Sequence, residues 1–219
     1  MKVVIAGAGK VGRAIARELI ANNHEVMLVD RDPQLAVPGV VQGASVLLAD
    51  ACEVSSLDQA DLPNCQVVVA ATGDDKVNLV VSLLAKTEYG VPRVVARVNH
   101  PKNEWMFDES WGVDVAVSTP RMLSALVEEA VTVGDLVRLF SFRQGNANLV
   151  EMTLAPDSPV VGQRVGDQAW PPDTALVAIV RGPRVITPSA DEPLDVGDEL
   201  LFVAAPEHEP ELQTMLGHA

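Results

Sequence analysis

The chain has 219 residues, 48% of them hydrophobic, with 16 Lys and Arg against 30 Asp and Glu for a formal net charge of −14. That apolar share is ample for a buried core and excludes a disordered chain, while the acidic balance disfavours nonspecific binding to nucleic acid or anionic lipid, which need a basic footprint. Unbroken apolar runs such as Val67–Ala71 are of strand length, well short of the roughly 20 residues a membrane helix needs, and Cys52 and Cys65 make neither a disulfide framework nor a metal cluster.

Met1-Lys2-Val3-Val4-Ile5 runs straight into a strand over Lys2–Ala6 and leaves no room for a signal peptide. Val11, Ile15 and Leu19 then recur at helical spacing up to Asn22-Asn23. A second strand, Val26–Val29, closes on Asp30. Pro33, Pro38, Gly39 and Gly43 predict a short or irregular crossover to a third strand at Val46–Ala49. Strands follow at Val67–Ala71, Val94–Val98 and Val113–Val117, with a helix over Asp75–Glu88 and another starting near Pro101. Continuous Val-rich strands alternating with helices predict a parallel sheet covered on both faces. From Pro120 a further helix carries two apolar stripes, Met122-Leu126-Ala130 and Leu123-Val127-Val131, suited equally to its own sheet or to a second subunit.

Composition changes after Asp135, where nine of the 15 prolines lie. Short runs at Leu136–Phe142, Leu149–Leu154, Leu176–Val180, Val185-Ile186 and Leu200–Ala204 are separated by turn signals, among them Gln144-Gly145-Asn146-Ala147-Asn148. The fold class expected is therefore α/β: a Rossmann-like doubly wound parallel sheet over residues 1–135, followed by a small β-rich α+β domain over 136–219.

Gly7-Ala8-Gly9-Lys10-Val11-Gly12 has GxGxxG spacing, follows a strand and opens a helix, with Asp30 at the end of the next strand. In that context it is a dinucleotide-binding fingerprint. Gly7 permits the tight turn, Gly9 the approach of a pyrophosphate and Gly12 close helix–strand packing, while the helix N-terminus offers N–H groups and partial positive charge. Asp30 suits a ribose diol and repels a 2′-phosphate, which favours NAD or an adenine nucleotide; Arg31 beside it weakens that preference. Ligands in open α/β sheets bind at the carboxyl ends of the strands, which places Asp50-Ala51, Thr72-Gly73-Asp74-Asp75 and Arg97-Val98-Asn99 around the same crevice. Asp50 can accept from an adenine amino group or cap the next helix. Thr72 and Gly73 can offer N–H groups to a phosphate or ribose, and Asp74 suits an N-cap. Asn78 can reach the crevice or pack. Arg97 can hold a phosphate or form a surface ion pair, and Lys10 can reach a terminal phosphate or stay solvated.

A dehydrogenase also needs a general acid or base beside the nicotinamide. Of the four histidines only His100 falls near the crevice, and Tyr89 has Arg93 in place of Lys four residues on. No nucleophile–base pair and no metal-ligand spacing stands out, so no catalytic residue and no metal site is expected. A nucleotide site without a catalytic set suggests a sensor. A small NAD-dependent oxidoreductase is the alternative, and a transcription factor is disfavoured by the charge and the lack of a basic recognition helix.

The sequence resembles the TrkA family of potassium-uptake regulatory proteins, built from RCK N-terminal and RCK C-terminal domains. Three segments carry the likeness: Val3–Arg13; Ala49-Asp50-Ala51 with Ala71–Asn78 and Val95–Val98; and Ser158–Gly162, Leu176–Arg181, Ile186-Thr187-Pro188 and Leu194–Leu200. The last is the most specific, because generic dehydrogenases lack it. The resemblance implies a cytosolic regulator, peripheral at the inner face of the membrane, that forms dimers or larger rings beneath a potassium transporter or channel subunit. It implies NAD(H) or ATP, ADP or AMP as regulatory ligand, held at Gly7, Gly9, Lys10, Asp30, Asp50, Thr72 and Arg97, and a second domain serving as another ligand or dimerisation module. Pro38 and Gly39 depart from the regular helix of the family, which bears on the adenine side of the pocket.

Overall fold

The computed structural model describes residues 1–131, 133–142 and 146–217, with the side chains of 128–130 outside that description. The chain divides into two compact units, Met1–Pro120 and Arg121–Ala219.

The first unit runs β1 (Lys2–Ala6), α1 (Lys10–Ala21), β2 (Glu25–Asp30), β3 (Ser45–Leu48), α2 (Val54–Gln59), β4 (Val67–Ala70), α3 (Asp75–Thr87), β5 (Arg93–Val98) and β6 (Val115–Ser118). Its six strands lie in the order β3-β2-β1-β4-β5-β6, every pair parallel. Strand side chains alternate between faces, and both faces are apolar. Val4, Ala6, Val68, Ala70, Val94 and Ala96 pack with Leu57, Leu79 and Val81 on one side. Val3, Ile5, Val26, Leu28, Val69 and Ala71 pack with Ala16 and Leu19 on the other. This is the expected doubly wound sheet, and the order reverses between β1 and β4, which opens a crevice at their carboxyl ends.

Two connections need comment. Residues 31–44 hold no helix, as Pro33 and Pro38 dictate, and the chain turns through left-handed Gly39 and Gly43 at φ 79° and 86°. The helix expected near Pro101 is replaced by two 3₁₀ turns, Pro101–Met106 and Glu109–Trp111. Polar side chains break it: His100 accepts from the N–H of Lys102 and Asp108 from that of Ser110, each starting a fresh turn, and Gly112 in the left-handed region ends the second.

The second unit contains α4 (Thr119–Val131, which begins at the division), β7 (Val137–Phe142), β8 (Ala147–Thr153), β9 (Thr174–Arg181), β10 (Arg184–Ile186), β11 (Glu199–Ala204) and α5 (Glu209–Leu216). Its strands form an antiparallel sheet in the order β10-β9-β11-β8-β7. Val150, Met152, Ile179, Leu200 and Phe202 form its core with Leu212 and Leu216 of α5. Proline and acidic residues hide α5 in the sequence, yet Pro210 sits in the first turn of the helix, where its missing N–H costs nothing. The Gln144-Gly145 part of the expected β7–β8 turn and the Ala130 end of the α4 stripe lie outside the described residues. Among the described residues no helix is long and apolar enough to cross a membrane.

Candidate nucleotide-binding site

The three glycines after β1 have different physical reasons to be glycine. Gly7 has φ 111°, and a Cβ there would lie 2.9 Å from the Ala71 carbonyl oxygen. A Cβ on Gly12 would lie 1.9 Å from the Gly7 carbonyl oxygen. The fold itself requires both. Gly9 has ordinary extended backbone, φ −74° and ψ −172°, and a Cβ there would meet nothing within 4 Å. No side chain caps α1 and no acidic residue occupies its first turn, so the helix presents its N–H groups and positive dipole end to a cradle that a side chain on Gly9 would fill. Of the neighbouring candidates, Ala8 is buried, Val11 half-buried and Lys10 exposed.

Asp30 fastens this loop. Its Oδ2 accepts from the N–H of Ala8 at 2.7 Å and its Oδ1 from that of Asp32 at 2.9 Å. Each oxygen keeps a lone pair for a hydroxyl. Arg31 is exposed and places its Nη1 3.6 Å from Asp50 Oδ2, across the ends of β2 and β3. Asp50 caps no helix: its Oδ1 accepts from the N–H of Cys52 at 2.9 Å, and Glu53 is the residue that precedes α2. Ala51 is buried in the core. Burial, with Asp50 alongside, pushes the Cys52 thiol up, which disfavours the reactive thiolate.

On the other side of the crevice, Thr72 and Gly73 follow β4, and a Cβ on Gly73 would meet nothing within 4 Å. Asp74 N-caps α3 through the N–H of Lys76, as expected. Asn78 does not line the crevice. It is fully buried: its Oδ1 accepts from the N–H and Oγ1 of Thr72 at 2.9 and 2.7 Å, and its Nδ2 donates to the carbonyls of Thr72 and Arg97 at 3.3 and 2.8 Å. One turn into α3, it faces the ends of β4 and β5 and spends all its polar capacity joining them. Arg97 makes no ion pair among the described residues; its Nε is buried and without a hydrogen-bond partner. It lies on the same face of β5 as Val95, which packs against the cluster beneath α1. A buried unpartnered donor is costly, and an anion in the crevice is the group that would satisfy it.

Asp75, in sequence only a strand-end neighbour, is buried at the start of α3, and its carboxylate accepts four hydrogen bonds. Burial pushes its pKa up, but the N–H groups of Asn99 and His100 and the amides of Asn99 and Asn103 outweigh that and hold it below the usual carboxylate range. The available signal was polar residues at positions 75 and 78 on the apolar face of α3. Among the described residues no three His, Cys, Asp or Glu side chains gather as a metal site.

Comparison with known proteins extends this picture. Residues 3–119 match the TrkA-N domain and residues 149–217 the TrkA-C domain. The Trk system potassium uptake protein TrkA of Mycobacterium tuberculosis is 60% identical over 216 residues, which is 99% of this chain and 98% of that one. In structure, the GsuK channel bound to NAD superposes at a TM-score of 0.71 with 18% identity, over 100% of this chain and 40% of the channel chain. The Kef CTD of Shewanella denitrificans in AMP-bound form gives 0.53 at 22% identity, over 59% of this chain and 79% of that one. At such identities the structural likeness speaks for the fold, whereas the sequence matches run along nearly the whole length. The chain belongs to the TrkA family, with a TrkA-N domain followed by a TrkA-C domain.

Proposed function

We propose that this chain is the regulatory subunit of a potassium uptake system, a cytoplasmic protein docked at the inner face of the membrane that binds NAD(H) or an adenine nucleotide and gates a membrane potassium-translocating partner. The observation that carries the nucleotide reading is the open space at Gly9, a glycine the backbone does not need, at the uncapped end of α1. The buried Nε of Arg97 supports it from the other wall. In this reading the N–H groups of Gly9, Lys10 and Val11 hold phosphate and Asp30 holds a ribose diol. Asp50 and Arg31 flank the adenine, with Ala8 and Ala51 offering backbone. Thr72, Gly73 and Arg97 take the far half of the ligand. Asn78 acts behind Thr72.

The ligand undergoes no reaction in this account. Its binding free energy shifts the protein between two conformations, and only to the extent that it favours one of them; typical coupling is about 1–3 kcal/mol. The nucleotide domain is taken as residues 1–135, with α4 as its output element, and residues 136–219 as the regulatory domain. Met122, Leu123, Leu126, Val127 and Val131 of α4 are all exposed. A stripe of that size suits a second copy of the chain, and so a homodimer or larger ring. A thermal-shift panel of NAD, NADH, AMP, ADP and ATP tests the reading, because a specific ligand raises the melting temperature by mass action. A shift with none of them contradicts it, and steady oxidation of NADH would favour the oxidoreductase alternative.

A further inference from the structure

We infer that Asp75 is the positioning residue of the far half of the crevice, holding the turn after β5 against the turn after β4 so that Thr72, Gly73 and Arg97 stand ready for the part of the ligand beyond the first phosphate. This rests on the nucleotide reading above and adds to it a residue that touches no ligand. The Asp75 carboxylate has two oxygens and meets only donors. Oδ1 accepts from the N–H of Asn99 at 2.6 Å and from its Nδ2 at 3.0 Å; Oδ2 accepts from the N–H of His100 at 3.0 Å and from Nδ2 of Asn103 at 2.8 Å. Asn99 carries the link onward, its Nδ2 donating also to the Thr72 carbonyl at 3.0 Å. Asn78 closes the circuit between Thr72 and the Arg97 carbonyl. The two strand ends are thus tied by side chains where the ladder between β4 and β5, which ends at Ala70 and Ala96, no longer joins them.

The chemistry requires a carboxylate. An amide at this position has one acceptor and one NH₂ group, so an Asn must turn a donor toward groups that are themselves donors. The near half of the crevice, built from the glycine loop and Asp30, shares none of these bonds. A dinucleotide spans both halves, whereas AMP needs only the near one.

Calorimetry on the full chain with NAD and with AMP, for the wild type and Asp75→Asn, tests the assignment. The substitution is expected to weaken NAD by about tenfold or more, as loss of charge-assisted hydrogen bonds does, and to leave AMP within about twofold. A merely structural role would weaken both ligands in parallel. Parallel losses, or no loss, overturn the inference, and a wild type that binds neither ligand removes the nucleotide reading and this inference with it. Asn103→Ala, which keeps the carboxylate and deletes a single donor at a half-buried position, should show a smaller loss of the same pattern; it decides the matter if Asp75→Asn fails to fold, and equal behaviour toward NAD and AMP there counts against the assignment.

Discussion

Two arginines stand at the carboxyl ends of described strands in this molecule, and the fold treats them in opposite ways. Arg181, the last residue of β9, is saturated. Its Nε and Nη2 grip the fully buried Asp198 at 2.7 and 2.8 Å, Nη1 meets Asp195 at 2.9 Å and Glu192 at 3.3 Å, and Nη2 also donates to the Pro193 carbonyl. These carboxylates raise its pKa further still. Arg97, at the corresponding end of β5, has no carboxylate partner among the described residues and keeps Nε buried and unpaired. One arginine builds a domain, and in the proposed reading the other is left for a ligand that the domain receives. The difference teaches that a strand-end cation is read by its unspent donors and not by its position.

The comparison can be broken most forcefully from the structural side. Arg181→Met should cost about 3–5 kcal/mol, because Asp198 is left buried without a counter-charge; urea denaturation measures it, and a loss below about 1 kcal/mol would mean that the network is ornamental. Next comes Gly12→Ala, whose Cβ collides with the Gly7 carbonyl. It should destabilise the chain by about 1–3 kcal/mol before any ligand is added. Arg97→Met should leave the melting temperature almost unchanged, within about 0.5 kcal/mol, yet weaken NAD by about tenfold in calorimetry; a large loss of stability would place Arg97 with Arg181. The smallest effect is in pH. Asp75 has a folded pKa below the usual 3.8, so its contribution is complete above that value and fades as the pH falls through the folded pKa. Acid titration of Asp75→Asn followed by circular dichroism should lack that component.

Much of the fold was legible because it follows periodicity. The Val-rich runs became the six parallel strands, the Pro33–Gly43 stretch stayed irregular, and the turn-separated runs after Asp135 became the antiparallel sheet. Local polar competition was less legible: His100 and Asp108 broke the helix near Pro101 into 3₁₀ turns. Pro206 and Pro210 concealed α5 because a proline that starts a helix looks, in sequence, like one that stops it. In the site, the glycine spacing located the loop, since Gly7 and Gly12 answer to local steric needs and Gly9 leaves open space at the helix end. For Asn78 the sequence allows either the crevice or packing, and the fold buries it; Asp75 reads in sequence only as one of several residues at a strand end. Their roles depend on Thr72, Asn99 and Asn103, which only the folded topology brings to them.

Gly9→Val isolates the central claim. The backbone at this position suits any residue and an added Cβ meets no protein atom within 4 Å, so the variant should melt close to the wild type. Titrated with NAD and with ADP, it should show no binding where the wild type binds. A Gly9→Val protein that is folded and binds both ligands as the wild type does would contradict the account.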